Sequence, residues 1–143
     1  MWTIDKSNHL ARYYDSKGKQ AIVSVAGTGL ATGNKSVEED NRTPDGTYTL
    51  SYPEKGASKK GGELSFGPYF YRTNHRNKGG GASGVGLHGS GNPLFNGMNI
   101  SHGCIRLDND AVRKFHSIAP NSGGGAKITI YEKRGGRLSR KIG

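Results

Sequence analysis

Asn99-Ile100-Ser101-His102-Gly103-Cys104-Ile105-Arg106-Leu107-Asp108 carries the only cysteine of the chain, with a glycine immediately before it and a histidine two positions before it. A second histidine stands upstream in Leu87-His88-Gly89. A lone cysteine forms no internal disulfide, so it is either a small buried hydrophobe or a reactive thiol. A thiol attacks only as thiolate, which requires a proton acceptor or a positive field close by. His88 and His102 are the candidate acceptors. Gly103 lets a substrate backbone approach the sulfur and leaves the amides of Gly103 and Cys104 able to face an oxyanion. A zinc site built from His88, His102 and Cys104 is the competing reading, but paired Cys/His spacing and a nearby carboxylate base are both missing from the sequence.

Outward from this stretch, the residues on the C-terminal side read as a helix. Asp108 is the expected N-cap, with Leu107 before it and Val112 after it as a hydrophobic staple. Ala111, Val112, Phe115, Ile118 and Ala119 recur at helical spacing, and Pro120-Asn121 ends the run. A closing strand is expected at Ala126–Tyr131. On the N-terminal side the periodicity is that of strands: Trp2–Ile4, Leu10–Tyr14 and Ala21–Ala26, with turns at Lys6–Asn8 and Asp15–Gly18. Thr43-Pro44-Asp45-Gly46 is a turn that feeds a strand at Thr47–Tyr52. Residues 53–63 read as loop, 64–73 as strand-like, 74–84 as a mobile loop with four glycines, and Gly86-Leu87-His88 as a short buried strand end.

Composition agrees with a β-rich reading. Of 143 residues, 24 are glycine and only 31% are apolar, which disfavours a helical bundle because glycine costs a helix interior about 0.5–1 kcal/mol. One domain, residues 1–132, accounts for the patterned part, and 133–143 reads as a basic, frayed tail. The net charge of +10 favours a polyanionic partner, such as anionic wall polymers, a membrane surface or nucleic acid. No local motif interleaves aromatic and basic residues as single-stranded nucleic-acid grooves do, so nucleic acid is not expected. No apolar run spans a bilayer and Met1–Leu10 is no secretion signal. His9, His75 and His116 read as surface residues. Residues 74–84 are also a candidate lid that would carry His75, Arg76 and Lys78 toward a substrate.

Ser101-His102-Gly103-Cys104-Ile105-Arg106, with His88-Gly89 sixteen positions before the cysteine, resembles the signature of the L,D-transpeptidase catalytic domain, the YkuD-like fold. Ile4-Asp5-Lys6-Ser7 with Leu10 resembles the family's first hairpin, and Thr43-Pro44-Asp45-Gly46-Thr47-Tyr48 its turn and following strand. Asp108–Phe115 is similar to the helix after the nucleophile. The resemblance implies a mostly-β sheet sandwich or flattened barrel with one main helix. It implies Cys104 as nucleophile, His88 as general base, and the Gly89 carbonyl as the group that fixes the imidazole tautomer. Ser101, His102 and Gly103 would shape the nucleophile loop and oxyanion hole, and Arg106 would meet a substrate carboxylate. The implied substrate is the peptidoglycan stem peptide. The implied reaction is transfer to an amine, or hydrolysis as an L,D-carboxypeptidase, by a monomer without metal or organic cofactor in the periplasm or cell wall. An exported effector that attacks a rival's wall shares this chemistry. A non-catalytic wall-binding module is the alternative that leaves the Ser-His-Gly-Cys run without a purpose.

Overall fold

The computed structural model describes residues 1–29, 34–35, 42–55, 66–81, 83–90, 99–101, 103–134 and 137–138, with the backbone alone at 99–101, 133–134 and 137–138. Its strands are β1 (Trp2–Asp5), β2 (Leu10–Tyr14), β3 (Gln20–Gly29), β4 (Gly46–Thr49), β5 (Glu54–Lys55), β6 (Tyr69–Arg72), β7 (Gly86–His88), β8 (Asn99–Ser101), β9 (Ile105–Leu107), β10 (Lys127–Tyr131), β11 (Lys133–Arg134) and β12 (Arg137–Leu138). The helix α1 spans Asn109–Ile118. The first ten strands form one sheet in the order β4-β10-β1-β2-β3-β9-β7-β6-β5, with β8 joined to β3. An isolated bridge from Leu50 to Thr73 and hydrogen bonds from Ser51 N to Arg72 O and Asn74 N to Thr49 O bring β4 back against β6. The sheet thus curls toward closure, the half-barrel form of the expected flattened barrel.

Alternation explains which side is filled. Trp2 and Ile4 stand opposite Ile128 and Ile130 across the parallel pair β1–β10, and opposite Tyr13 and Ala11 across the antiparallel pair β1–β2. All six are buried. Helix α1 lies on this face and buries Ala111, Val112 and Phe115. The Phe115 ring meets Trp2, Tyr13 and Tyr71 at centroid separations of 5.3, 5.0 and 5.0 Å, an edge-on cluster that aromatic quadrupoles favour. The fourth apolar position of the expected helix face, Ile118, is 45% exposed, whereas Ala119 beside it is buried.

Several boundaries differ from the sequence expectation. Asp108 is the N-cap and Leu107 and Val112 are buried, yet the Asp108 side chain makes no capping bond. The stretch read as loop at 53–63 contains β5, whose Glu54 and Lys55 pair with Phe70 and Tyr69. Among the described residues of the stretch read as strand-like at 64–73, the strand is β6. Within the loop read as mobile, Asn77 and Gly81 close a hydrogen-bonded turn, and His75 Nδ1 and Ser83 Oγ meet at 2.8 Å. His75 is therefore buried rather than on the surface, since its ring has a polar partner eight residues away. Inside the stretch read as a frayed tail, β11 and β12 pair with each other and stand apart from the main sheet.

Candidate active site

Strand register sorts the site residues from the core. Leu87 stands opposite Ile105 and His88 opposite Arg106 across the parallel pair β7–β9. On the other flank, Phe70, Tyr71 and Arg72 stand opposite His88, Leu87 and Gly86. Side chains alternate across a strand. Leu87, Ile105 and Tyr71 point into the helix-covered core, so His88, Arg106, Phe70 and Arg72 share the opposite face. Cys104, one residue before β9, has the parity of Arg106. The Gly86 amide donates to its sulfur at 3.3 Å, and the thiol faces the Gly84 carbonyl at 3.8 Å.

His88 is 1% exposed. Its ring stacks on Phe70 at 5.3 Å with an 11° tilt, and meets the edge of Phe66 at 4.7 Å. Nδ1 donates to the carbonyl oxygen of Gly89. A carbonyl only accepts, so the proton of the neutral ring sits on Nδ1 and Nε2 is left as the basic atom. Burial lowers the His88 pKa to about 4, with the Gly89 bond opposing it and the Arg106 charge adding to it. The imidazole is neutral at neutral pH, as a base must be.

Cys104 as a whole residue is half-buried. Burial raises the Cys104 pKa, while the Gly86 amide and the charges of Arg106, Lys35 and Arg72 pull it down without reversing the sign. Both groups consequently rest uncharged, Cys104 as a thiol and His88 as a neutral imidazole. This differs from a preformed thiolate, because desolvation disfavours both charged forms at once.

The surrounding backbone is held in place by three side chains. Asn109, the first residue of α1, donates to the Ser90 carbonyl at 3.0 Å and accepts from the Ser90 amide at 2.9 Å. Its Oδ1 lies where a Cβ on Gly89 would have to go, 2.1 Å away. The Gly89 amide in turn donates to Phe66 O at 3.0 Å. Thr43 accepts from the Gly29 amide at 2.8 Å and donates to the Gly103 carbonyl at 2.9 Å. Lys6, buried, donates to the Thr43 carbonyl at 2.7 Å and pairs with Asp45 and Glu132 at 2.9 and 3.4 Å.

Of the residues singled out from sequence, Cys104, His88, Gly89, Gly103 and Arg106 lie at this one place. Ser101 is described through its backbone in β8, which pairs in parallel with β3, and His102 lies outside the described residues. Arg106 leaves its buried Nε without a hydrogen-bond partner among the described residues. The sequence reading places the segment 66–74 beside the cleft without giving Phe66, Phe70 or Arg72 a role of its own, and it passes over Asn109. Arg72 pairs with Glu54 at 2.7 Å and stands beside a cavity of about 270 Å³ walled also by Thr49, Leu50, Ser51, Thr73 and Asn74. A larger cavity, about 550 Å³, lies between β3 and the start of α1 and touches neither Cys104 nor His88. Among the described residues no group of three His, Cys, Asp or Glu side chains is placed to hold a metal ion.

A family model described as the L,D-transpeptidase catalytic domain, YkuD, matches residues 2–130. The chain belongs to this family. Its fold is also that of solved structures at lower identity. The helical cell shape determining protein Pgp2 from Campylobacter jejuni is 24% identical with a TM-score of 0.74, covering 98% of this chain and 49% of its own. Bd1075 of Bdellovibrio bacteriovorus is 22% identical with a TM-score of 0.66, covering 92% of this chain and 47% of its own. An L,D-transpeptidase from Mycobacterium smegmatis is 20% identical with a TM-score of 0.62, covering 90% and 57%. The chain spans about half the length of these proteins. No curated protein matches it. L,D-transpeptidase catalytic domains act on peptidoglycan, and among the described residues no helix is long and apolar enough to cross a membrane.

Proposed function

We propose that the chain is a peptidoglycan L,D-transpeptidase with Cys104 as nucleophile and His88 as base. The observation that carries this reading is the Nδ1 bond of His88 to the Gly89 carbonyl, which leaves Nε2 as proton acceptor on the face that carries Cys104. As the sulfur attacks the carbonyl of the third stem residue, its proton passes to Nε2. The tetrahedral oxyanion collapses, the proton moves on to the leaving D-alanine amine, and a thioester remains. The amine of a second stem peptide then displaces Cys104, gives its proton through Nε2 to the sulfur, and forms the cross-link.

The Gly103 and Cys104 amides serve the oxyanion, Ser101 and His102 shape the loop, and Arg106 receives a substrate carboxylate. Its unpartnered Nε and its position opposite His88 support that role. Residues 1–132 form the catalytic domain, which works in the periplasm or wall, and the basic 133–143 stretch adheres to anionic wall polymers.

The test is incubation with tetrapeptide muropeptides and mass analysis of the products. Cross-linked dimers that disappear in Cys104→Ala support the transferase. Tripeptide monomers alone mean that water is the acceptor and the enzyme is an L,D-carboxypeptidase. Unchanged trimming by Cys104→Ala refutes the nucleophile, and no turnover by the parent favours a wall-binding module.

A further inference from the structure

Thr43 lies far from Cys104 in sequence, yet its hydroxyl reaches the carbonyl of the residue before the sulfur. The side chain is 1% exposed. Its oxygen uses both capacities of a hydroxyl, accepting from Gly29 N at 2.8 Å and donating to Gly103 O at 2.9 Å. The proton is thus committed toward Gly103, because an amide N–H leaves the oxygen no other role in the first bond.

That carbonyl belongs to the same planar trans peptide as the Cys104 amide. In such a unit C=O and N–H point in opposite directions. Fixing one fixes the other. Gly103 holds φ at +131°, a region that L side chains rarely adopt, and a Cβ there would come within 2.9 Å of the Arg42 carbonyl. A glycine leaves ψ at that position little restricted, so the Thr43 bond acts as a restraint on the orientation of the peptide on its C-terminal side. Thr43 is itself anchored, since the buried Lys6 ammonium donates to its carbonyl at 2.7 Å.

We infer that Thr43 is a positioning residue for acyl transfer: through the Gly103 carbonyl it sets the direction of the Cys104 amide toward the developing oxyanion. This inference rests on Cys104 being the nucleophile. It separates two events at one sulfur. Attack on an acyl carbon builds a negative oxygen and needs the amide aimed. Displacement of iodide from iodoacetamide builds none, and needs only the thiolate.

The experiment compares the parent with Thr43→Val, Thr43→Ser and Thr43→Ala, each checked for folding by its thermal transition. Acylation is followed by intact mass with a carbapenem, whose lactam C–N bond breaks as the C–S bond forms and whose nitrogen takes the thiol proton. Alkylation is followed with iodoacetamide across pH. Thr43→Val is expected to acylate ten- to a hundredfold more slowly, with an alkylation rate and pH profile within threefold of the parent and Thr43→Ser near the parent in both. Should Thr43→Val not fold, Thr43→Ser against Thr43→Ala makes the same comparison of hydroxyl with none. Equal acylation with and without the hydroxyl overturns the inference, as does alkylation that falls in step with acylation. A parent that alkylates at Cys104 but never acylates removes the functional reading and this inference with it, whereas an active parent beside an equally active Thr43→Val removes this inference alone.

Discussion

Arg106 stands directly opposite His88 in the parallel pairing of β9 with β7, and its charge acts on both titrating groups of the site. It lowers the pKa of the imidazole and that of the Cys104 thiol. Arg106→Gln should therefore move both titrations to higher pH together. Imidazole proton resonances report the first and the pH dependence of iodoacetamide alkylation reports the second. A shift in one without the other shows that the guanidinium is not shared between them.

The thiol and imidazole rest uncharged, and this has a kinetic signature. Alkylation of Cys104 should keep rising above pH 8.5, the ordinary range of a free thiol, because burial raises the thiol pKa. An alkylation profile already flat at pH 6 reveals a preformed ion pair and contradicts the electrostatics derived above.

Acid should weaken the fold through His88. Its pKa is about 4 when folded against an ordinary 6.5. As pH falls below 6.5 the unfolded chain binds a proton that the folded chain refuses, so stability is full above pH 6.5 and is lost down to about pH 4. The loss amounts to roughly 3 kcal/mol at the bottom of that window. Urea titrations of the parent and of His88→Gln at pH 7 and 4.5 check this. Identical losses in the two proteins mean that His88 is not the group responsible.

The Asn109 clamp gives a prediction of activity. Asn109→Ala removes both bonds to Ser90 and frees the backbone beside Gly89, whose carbonyl orients the imidazole. Removing the corresponding orienting group of a Ser-His-Asp triad costs about 10⁴ in kcat. A loosened but surviving carbonyl should cost less, about tenfold in Cys104 acylation. An unaltered acylation rate means that Gly89 is held by Phe66 and its own packing.

Core truncation makes a clear stability test. Phe115→Ala should cost about 3–5 kcal/mol, since the fully buried ring contacts Trp2, Tyr13 and Tyr71. Ile118→Ala, on the same helix but exposed, should cost under 1 kcal/mol.

The residues legible beforehand were those whose reading is local. Strand alternation in Trp2–Ile4 and Leu10–Tyr14, the Thr43–Gly46 turn, and the helix after Asp108 each declare themselves over a few positions. The Cys104 loop declared itself through its glycine and histidines, and through the resemblance they carry. Phe70 and Arg72 did not. In Tyr69-Phe70-Tyr71-Arg72 three aromatic residues run together, so alternation carries no polar contrast and cannot say which ring faces the core and which faces His88. Asn109 and the buried His75 were hidden for another reason: their partners, Ser90 and Ser83, are polar residues whose proximity only folding creates.

The parallel pairing of β1 with β10 joins the first strand of the fold to the last of its main sheet. Strand β1 is flanked by β2 on one side and by β10 on the other, so half of its backbone bonds await a segment synthesised after every residue of the site. A ribosome-bound chain that has emitted Cys104 but not Ile128 and Ile130 exposes Trp2 and Ile4 along an open seam. Maturation of the nucleophile is thereby coupled to synthesis of β10, and a chain that stops short of it has a thiol but no rigid frame around it.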